Sequence, residues 1–392
     1  MKYNFDTIVD RLNTNSLKYD FAVERGKPKD ILPLWVADMD FQAPSQVLEA
    51  LHNAVTHGIF GYSEVKSDYF DILHNWFYRN FNWDIQSKWL VKTPGVVYAI
   101  AQAVRAFTNE GEGVLIQQPV YYPFRGSIQS NNRKLVVNSL IYQDGTYTMD
   151  FDDFEQQIIS HDVKLFILCN PHNPVGRVWT LEELTRIGEI CLKHHVIIIS
   201  DEIHCDFTYP GYQHTVFANI REDFAQNTIT CTAPSKTFNL AGLQISNLFI
   251  KNDELRKRLV DEMDRSGYSQ LNSLGLVACK AAYEFGEPWL KELRTYLIGN
   301  LNFVREFLSE HLPDIKLIEP QGTYLIWLDF TSFNLSPAQM KDLIVNKANL
   351  WLDAGHIFGN EGLGFERINI ACPREILKKA LEQLHHAIKS LS

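Results

Sequence analysis

The sequence predicts an α/β protein in two parts: a large unit built on a mostly parallel sheet with helices on both faces, and a smaller α+β unit. Three observations carry this. Short continuous apolar runs at residues 114–118, 164–169 and 196–200 recur between segments with helical apolar spacing. Runs of this kind read as strands buried on both faces, the mark of a parallel sheet under helices. After about residue 280 the texture changes to a long helical segment and an alternating strand. A length of 392 residues is ample for two such units at ~150 residues per domain.

The elements follow in order. The first forty-odd residues look irregular. Residues 45–57, 69–80 and 97–107 have helical spacing, and the turn at 109–113 leads into the strand at 114–118. The strand at 164–169 is followed by an amphipathic helix over 181–194. Thr180 and Glu183, three residues apart, form a capping box at its start. Strands at 196–200 and 228–231 complete the large unit. A helix over 287–311, an alternating strand at 322–329, a helix over 336–347, a strand at 365–371 and a helix over 374–390 make the small one. The division places 45–280 in the large unit, and 1–44 with 281–392 in the small unit.

Composition excludes several classes. Lys plus Arg is 37 against 47 Asp plus Glu, a formal net charge of -10, so the chain lacks the basic footprint of a nucleic-acid binder and any polybasic run for an anionic membrane. The polar start has no secretory pattern, and the aliphatic run 196–199 is far too short to span a bilayer. Six scattered cysteines, none in a C-x-x-C pair, predict a reduced cytoplasmic protein with neither disulfides nor a metal site.

In open α/β sheets ligands bind beyond the carboxyl ends of the strands. Three strand ends carry chemistry here: Asn170-Pro-His-Asn-Pro-Val-Gly-Arg177, Asp201-Glu-Ile-His204 and Thr232-Ala-Pro-Ser-Lys-Thr-Phe-Asn239. Singly, a lysine, an aspartate or an Asn-Pro turn is ordinary surface chemistry. On consecutive strand ends they give one crevice an amine, a carboxylate and an amide. That set suits pyridoxal phosphate, which needs a lysine for a Schiff base, an acid beside its pyridine nitrogen and a donor to its phenolate oxygen. Lys236, Asp201 and Asn173 fill those roles in that order.

These motifs resemble fold-type I pyridoxal-phosphate enzymes, the aspartate-aminotransferase superfamily, class I/II. Within it, residues 35–41 (WVADMDF), 93–97 (TPGVV), 233–239 (APSKTFN) and 364–374 (GFERINIACPR) resemble the MalY/PatB-type branch of cystathionine β-lyases (C–S lyases). The resemblance spans nearly the whole chain. It implies that Lys236 is the Schiff-base lysine and the base at the substrate Cα, that Asp201 partners the pyridine nitrogen, and that Asn173 bonds the phenolate oxygen. It puts His204 where aminotransferases have a tyrosine, and Tyr121, with Tyr122 as rival, in the aromatic position over the ring. Phosphate binding falls to Gly95 and Val96 at a helix N-terminus and to Ser235. The arginine that aminotransferases carry eight residues after the lysine is Gln244 here, so part of the phosphate charge is unassigned. Tyr62 matches a tyrosine that family dimers give to the neighbour's phosphate, implying a homodimer with shared active sites. Arg367 matches the clamp on the substrate α-carboxylate. Val36 and Ala37, with Asn173, border the substrate pocket.

The implied activity is a C–S β-lyase acting on cystathionine or related S-substituted cysteines. The alternatives are an amino-acid aminotransferase using the same groups, and a lyase with an added partner-binding role. Other features read as structural. Asp38 and Asp40 form a surface turn rather than a metal site, Arg374 makes an ion pair, and the histidine pairs 194–195 and 385–386 are solvated.

Overall fold

The apolar runs assemble into a seven-stranded sheet in the spatial order Leu90–Thr93, Ser246–Phe249, Thr228–Thr232, Ile197–Asp201, Val163–Cys169, Gly113–Gln118, Lys134–Ser139. The computed structural model describes residues 2–268 and 270–390. Six strands run the same way, and Ser246–Phe249 is antiparallel to both of its neighbours. The reversal has a simple cause. Residues 233–245 hold only the single turn Pro234–Thr237 and a short 3-10 turn, with no crossover helix to return the chain for a parallel pairing.

Side chains alternate between the two faces of the sheet, and both faces are dry. Leu165, Ile167 and Cys169 meet the helices Val96–Phe107 and Asp253–Arg265. Phe166 and Leu168 meet Phe151–His161 and Leu181–Lys193. Each such buried aliphatic or aromatic side chain is worth about 1.5–3 kcal/mol. The predicted capping box forms in both directions: Thr180 Oγ1 accepts from Glu183 N (3.1 Å) and Glu183 Oε2 accepts from Thr180 N (2.8 Å). The same carboxylate also takes two hydrogen bonds from Arg177, at 2.9 and 2.8 Å. The helix start thereby anchors the loop that carries Asn173.

The C-terminal part carries an antiparallel sheet ordered Lys316–Ile318, Leu325–Asp329, Phe365–Asn369, Asp353–Ala354. The helices Glu287–His311 and Arg374–Lys389 pack on it. Three boundaries differ from expectation. The strand expected from 322 begins at Leu325, because Thr323 sits at φ 67° and breaks the extension. The helix expected over 336–347 is α-helical only over Pro337–Lys341 and continues as a π-helix, Asp342–Lys347. The strand expected to run to 371 ends at Asn369.

The N-terminal region is irregular, as expected, but tightly held. Leu32–Pro33 pairs in parallel with Leu350–Trp351. Asp38 and Asp40 are neither a surface turn nor a metal site. Asp40 is buried and takes Lys18 Nζ at 2.8 Å and Arg11 Nη1 at 2.7 Å, and Asp38 takes Arg11 Nη2 at 2.7 Å. Lys18 is fully buried; a lysine goes there only because its charge is met. Arg374 makes no ion pair among the described residues. Its Nε donates to Asn300 Oδ1 (2.7 Å) and its guanidinium lies over Phe303. His194 is not simply solvated, since it bonds Glu155 at 2.7 Å, and His385 stacks on His311. No group of metal-ligating side chains occurs among the described residues.

Removing Lys18 would strand a buried carboxylate. The Lys18→Met protein is expected to lose roughly 3–5 kcal/mol of stability, and Lys18→Met with Asp40→Asn to recover part of it. Urea unfolding of the three proteins checks this; an unchanged midpoint for Lys18→Met would show that the pair contributes nothing.

Candidate active site

The site forms where the strand order reverses. From Gly113–Gln118 the chain goes outward to Lys134–Ser139, then returns to Val163–Cys169 on the other side. Such a switch point leaves a crevice at the carboxyl ends. Tyr121 follows one strand and Asn173 the other, and Tyr121 N donates to Asn173 O at 3.0 Å across the gap. One strand further, Asp201 ends Ile197–Asp201 in register with Cys169, and Lys236 lies in the turn after Thr228–Thr232.

These residues line one cavity of about 430 Å³. Of the residues singled out in the sequence, Ala37, Gly95, Val96, Tyr121, Asn173, Asp201, His204, Ser235, Lys236 and Gln244 all border it. Three do not. Arg367 stands behind Asn173, to which its Nη1 donates at 2.9 Å. The Val36 carbonyl accepts from Asn369 at 2.7 Å, outside the cavity wall. Tyr62 is 96% exposed and far from lining its own chain's site. Tyr122, the rival of Tyr121, lines a different cavity.

Local structure explains each placement. Lys236 Nζ donates to the Ala37 carbonyl at 2.8 Å. Shelter from water lowers its pKa to about 8, with Arg367 acting the same way and Asp38 and Asp201 opposing. Asp201 accepts from Ile203 N at 3.2 Å, and burial pushes its carboxyl up to about 7. His204 is buried, its Nδ1 without a partner. Burial, then Lys236 and Arg367, hold it well below the ordinary imidazole range, so it is neutral at pH 7. Burial also raises the Tyr121 phenol, which therefore keeps its proton. Gly95 caps the 12-residue helix Val96–Phe107 with no side chain over its first N–H groups, and a Cβ at Gly95 would meet nothing within 4 Å. That end is open to an anion.

The donor set fits pyridoxal phosphate on two observations. Asp201 is a buried acid with no cation bonded to it, which a protonated pyridine nitrogen would supply. His204 Nδ1 is an orphaned polar atom in the wall. Gln244 also lines the cavity, so an amide, not a guanidinium, stands near the phosphate end.

Arg367 is buried in Phe365–Asn369, directly across from Asp353. Its Nη2 bonds Asp353 and the Trp35 carbonyl (2.7 Å), while its Nε has no partner. Both Nη groups of Arg367 are therefore engaged, and its Nε is a buried donor left unsatisfied. Sequence reasoning missed the residues that hold this arrangement. Tyr324 Oη donates to the Ala37 carbonyl (2.9 Å), Asn369 to the carbonyls of Val36 and Asp38, and Asn239 to those of Met39 and Phe41. Asn239 and Asn369 lie inside motifs quoted above. Asp353 had no signal, because only the sheet register puts it opposite Arg367.

The chain resembles known proteins over nearly its whole length. The family model for aminotransferase class I and II matches residues 29–384. The chain is 42% identical to the cystathionine beta-lyase PatB of Bacillus subtilis, over 98% of this chain and 100% of that protein. It is 33% identical to the protein MalY of Escherichia coli, over 99% of this chain and all of MalY. Among solved structures, the C–S lyase of Staphylococcus hominis with bound pyridoxal phosphate superposes with a TM-score of 0.93 at 35% identity, covering 99% of this chain and 98% of that one.

Asp201 gives a signed prediction. Its folded pKa is raised, so in the cofactor-free chain its stabilising contribution is present below pH 4 and is lost as pH rises toward 7. Cofactor-free Asp201→Asn should therefore gain stability relative to the parent as pH goes from 4 to 7, while binding cofactor more weakly. Thermal unfolding across that range and cofactor titration by absorbance check both; a constant difference with pH would contradict the assigned burial effect.

Proposed function

The chain belongs to the aminotransferase class I and II family, and on that footing we propose that it is a pyridoxal-phosphate-dependent C–S β-lyase. Its substrates are cystathionine or related S-substituted cysteines, and its products are a thiol, pyruvate and ammonia. The observation that carries the reading is one cavity bringing Lys236, Asp201 and Asn173 together, with Arg367 beside it, in a chain whose relatives include a cystathionine beta-lyase and a C–S lyase.

When bound, the cofactor supplies an electron sink for the charge that develops at the substrate Cα. The chain's residues do the rest. Arg367, steadied by Asp353, Asn173 and the Trp35 carbonyl, takes the α-carboxylate and fixes the orientation of the Cα–H bond. Lys236, with a pKa of about 8, is near the value at which an amine can accept and return a proton at Cα. Asp201 would hold the pyridine nitrogen. Asn173 and neutral His204 would hold the phenolate oxygen, and Tyr121 would pack against the ring. The N–H groups at Gly95 and Val96, with Ser235, would receive the phosphate. Residues 45–280 bind the cofactor, and 1–44 with 281–392 supply the substrate clamp.

The active unit is a homodimer. Tyr62, Ile59 and Phe60 are 96%, 73% and 62% exposed, an apolar stretch that suits cover by a second copy. Tyr62 then completes the partner's phosphate site, where this chain has Gln244 instead of a cation. Six free, buried thiols support a cytoplasmic setting. No described helix is long and apolar enough to cross a membrane.

Purified, cofactor-loaded protein should form pyruvate and thiol continuously from L-cystathionine with no keto acid present. Turnover only with added keto acid would make it an aminotransferase. Lys236→Ala should bind cofactor without covalent attachment and lose activity; retained turnover would remove Lys236 from its role. Mixing inactive Lys236→Ala with a Tyr62→Ala variant should restore activity to about a quarter of the parent value, as expected when hybrid dimers rebuild one shared site. No recovery would exclude sharing through Tyr62.

A further inference from the structure

The irregular N-terminal segment carries an acid, Asp38, that the reaction has not yet used. Lys236 Nζ and Tyr324 Oη both donate to the Ala37 carbonyl, at 2.8 and 2.9 Å. Asp38 is the next residue, so its carboxylate hangs from the same peptide that receives the amine. That peptide is pinned on both sides, since the Asn369 amide donates to the carbonyls of Val36 (2.7 Å) and Asp38 (2.6 Å).

The two oxygens of Asp38 have different surroundings. Oδ2 takes Arg11 Nη2 at 2.7 Å. Oδ1 is buried with no hydrogen-bond partner. Lys18 Nζ is 3.9 Å from it and is committed to Asp40 at 2.8 Å. Burying an acceptor without a donor is costly, and the fold accepts that cost at the residue beside the site's amine. Arg11, Lys18, Asp38 and Asp40 together balance in charge, so loss of the Asp38 carboxylate would leave a net positive cluster next to Lys236. The field of Asp38 reaches the site. Burial lowers Lys236, and among the charges that oppose this Asp38 comes before Asp201, while Arg367 acts with burial. His204 also lies within reach of the amine. Tyr324, on the shared carbonyl, keeps its proton, because burial and then Asp38 raise its phenol.

We propose that Asp38 is a positioning residue of the active site: its carboxylate is the counter-charge to the ammonium that Lys236 becomes when it takes the Cα proton and rests on the Ala37 carbonyl. The inference rests on Lys236 as the base of the lyase and adds the group that stabilises its charged form. The proton passes from Cα to Nζ, and no bond to Asp38 forms.

Competitive acetylation of the cofactor-free protein across pH, read at Lys236 by mass spectrometry, follows the amine without turnover. The parent amine should titrate near pH 8. In Asp38→Asn it should titrate about one unit lower, since a nearby opposite charge is lost, and Asp38→Glu, which keeps the charge, should return toward the parent. Asp40→Asn disturbs the same cluster at a carboxylate that is not among the charges acting on Lys236, and should shift the amine by less than half as much. Arg11→Gln removes the cation bonded to Asp38, should shift the amine upward, and serves if Asp38→Asn does not fold. In the holoenzyme, Asp38→Asn should lower kcat for pyruvate formation by about tenfold, the scale of a weakened general base, with KM little changed. An unmoved amine in Asp38→Asn or Arg11→Gln, an equal shift in Asp40→Asn, or a shifted amine with kcat unchanged would overturn the role of Asp38 and leave the lyase reading intact. The expected shifts with no pyruvate from L-cystathionine even in the parent would overturn the lyase reading and leave Asp38 as the counter-charge of the amine.

Discussion

The structure depends on satisfying one run of backbone carbonyls. Residues 34–41 form no helix and almost no sheet, yet they cross the interior between the two halves of the molecule. A buried polar main chain of this kind is costly unless every group has a partner. Here Leu34 O accepts from Asn369 N, Trp35 O from Arg367, Val36 O and Asp38 O from the Asn369 amide, Ala37 O from Lys236 and Tyr324, and Met39 O and Phe41 O from Asn239. The donors come from the large sheet's cofactor turn and from the C-terminal sheet. The same bonds that make the segment tolerable also position the amine and the guanidinium of the site.

That economy places demands on what lies behind the segment. Its course is fixed by Asp40 against Lys18 and Arg11, a charged cluster inside an otherwise apolar region. Buried pairs of this kind are weak stabilisers and strong specifiers of geometry when every charge is met. Asn239 reaches the segment because it adopts φ 58° directly after Phe238, a left-handed conformation that asparagine tolerates better than most residues. The turn carrying Lys236 can then fold back on the backbone that holds its amine.

The electrostatics of the interior follow from burial more than from net charge. The chain is acidic overall, but the buried carboxyls of Asp201 and Glu366 are pushed toward neutrality by burial. At the cavity that Asp201 and Lys236 line, the open N-terminus of the helix Val96–Phe107 adds uncapped N–H groups.

Much of this was legible in the sequence. The buried strands had continuous apolar runs, the capping box had its two residues at the right spacing, and the groups at three strand ends had the right chemistry in the right order, all consequences of local chain geometry. Other features had no local signal. The break at Thr323 is a matter of one backbone angle and the reversal of Ser246–Phe249 of one short connection, while the pairing of Asp353 with Arg367 and of Lys18 with Asp40 joins residues on different segments. Sequence by itself determined the α/β class and which amine, carboxylate and amide stand at three strand ends, because these follow from period, propensity and residue type. Only the tertiary structure decided which carbonyl meets which cation and which acids lose their charge, because those depend on distances across the fold that no local pattern encodes.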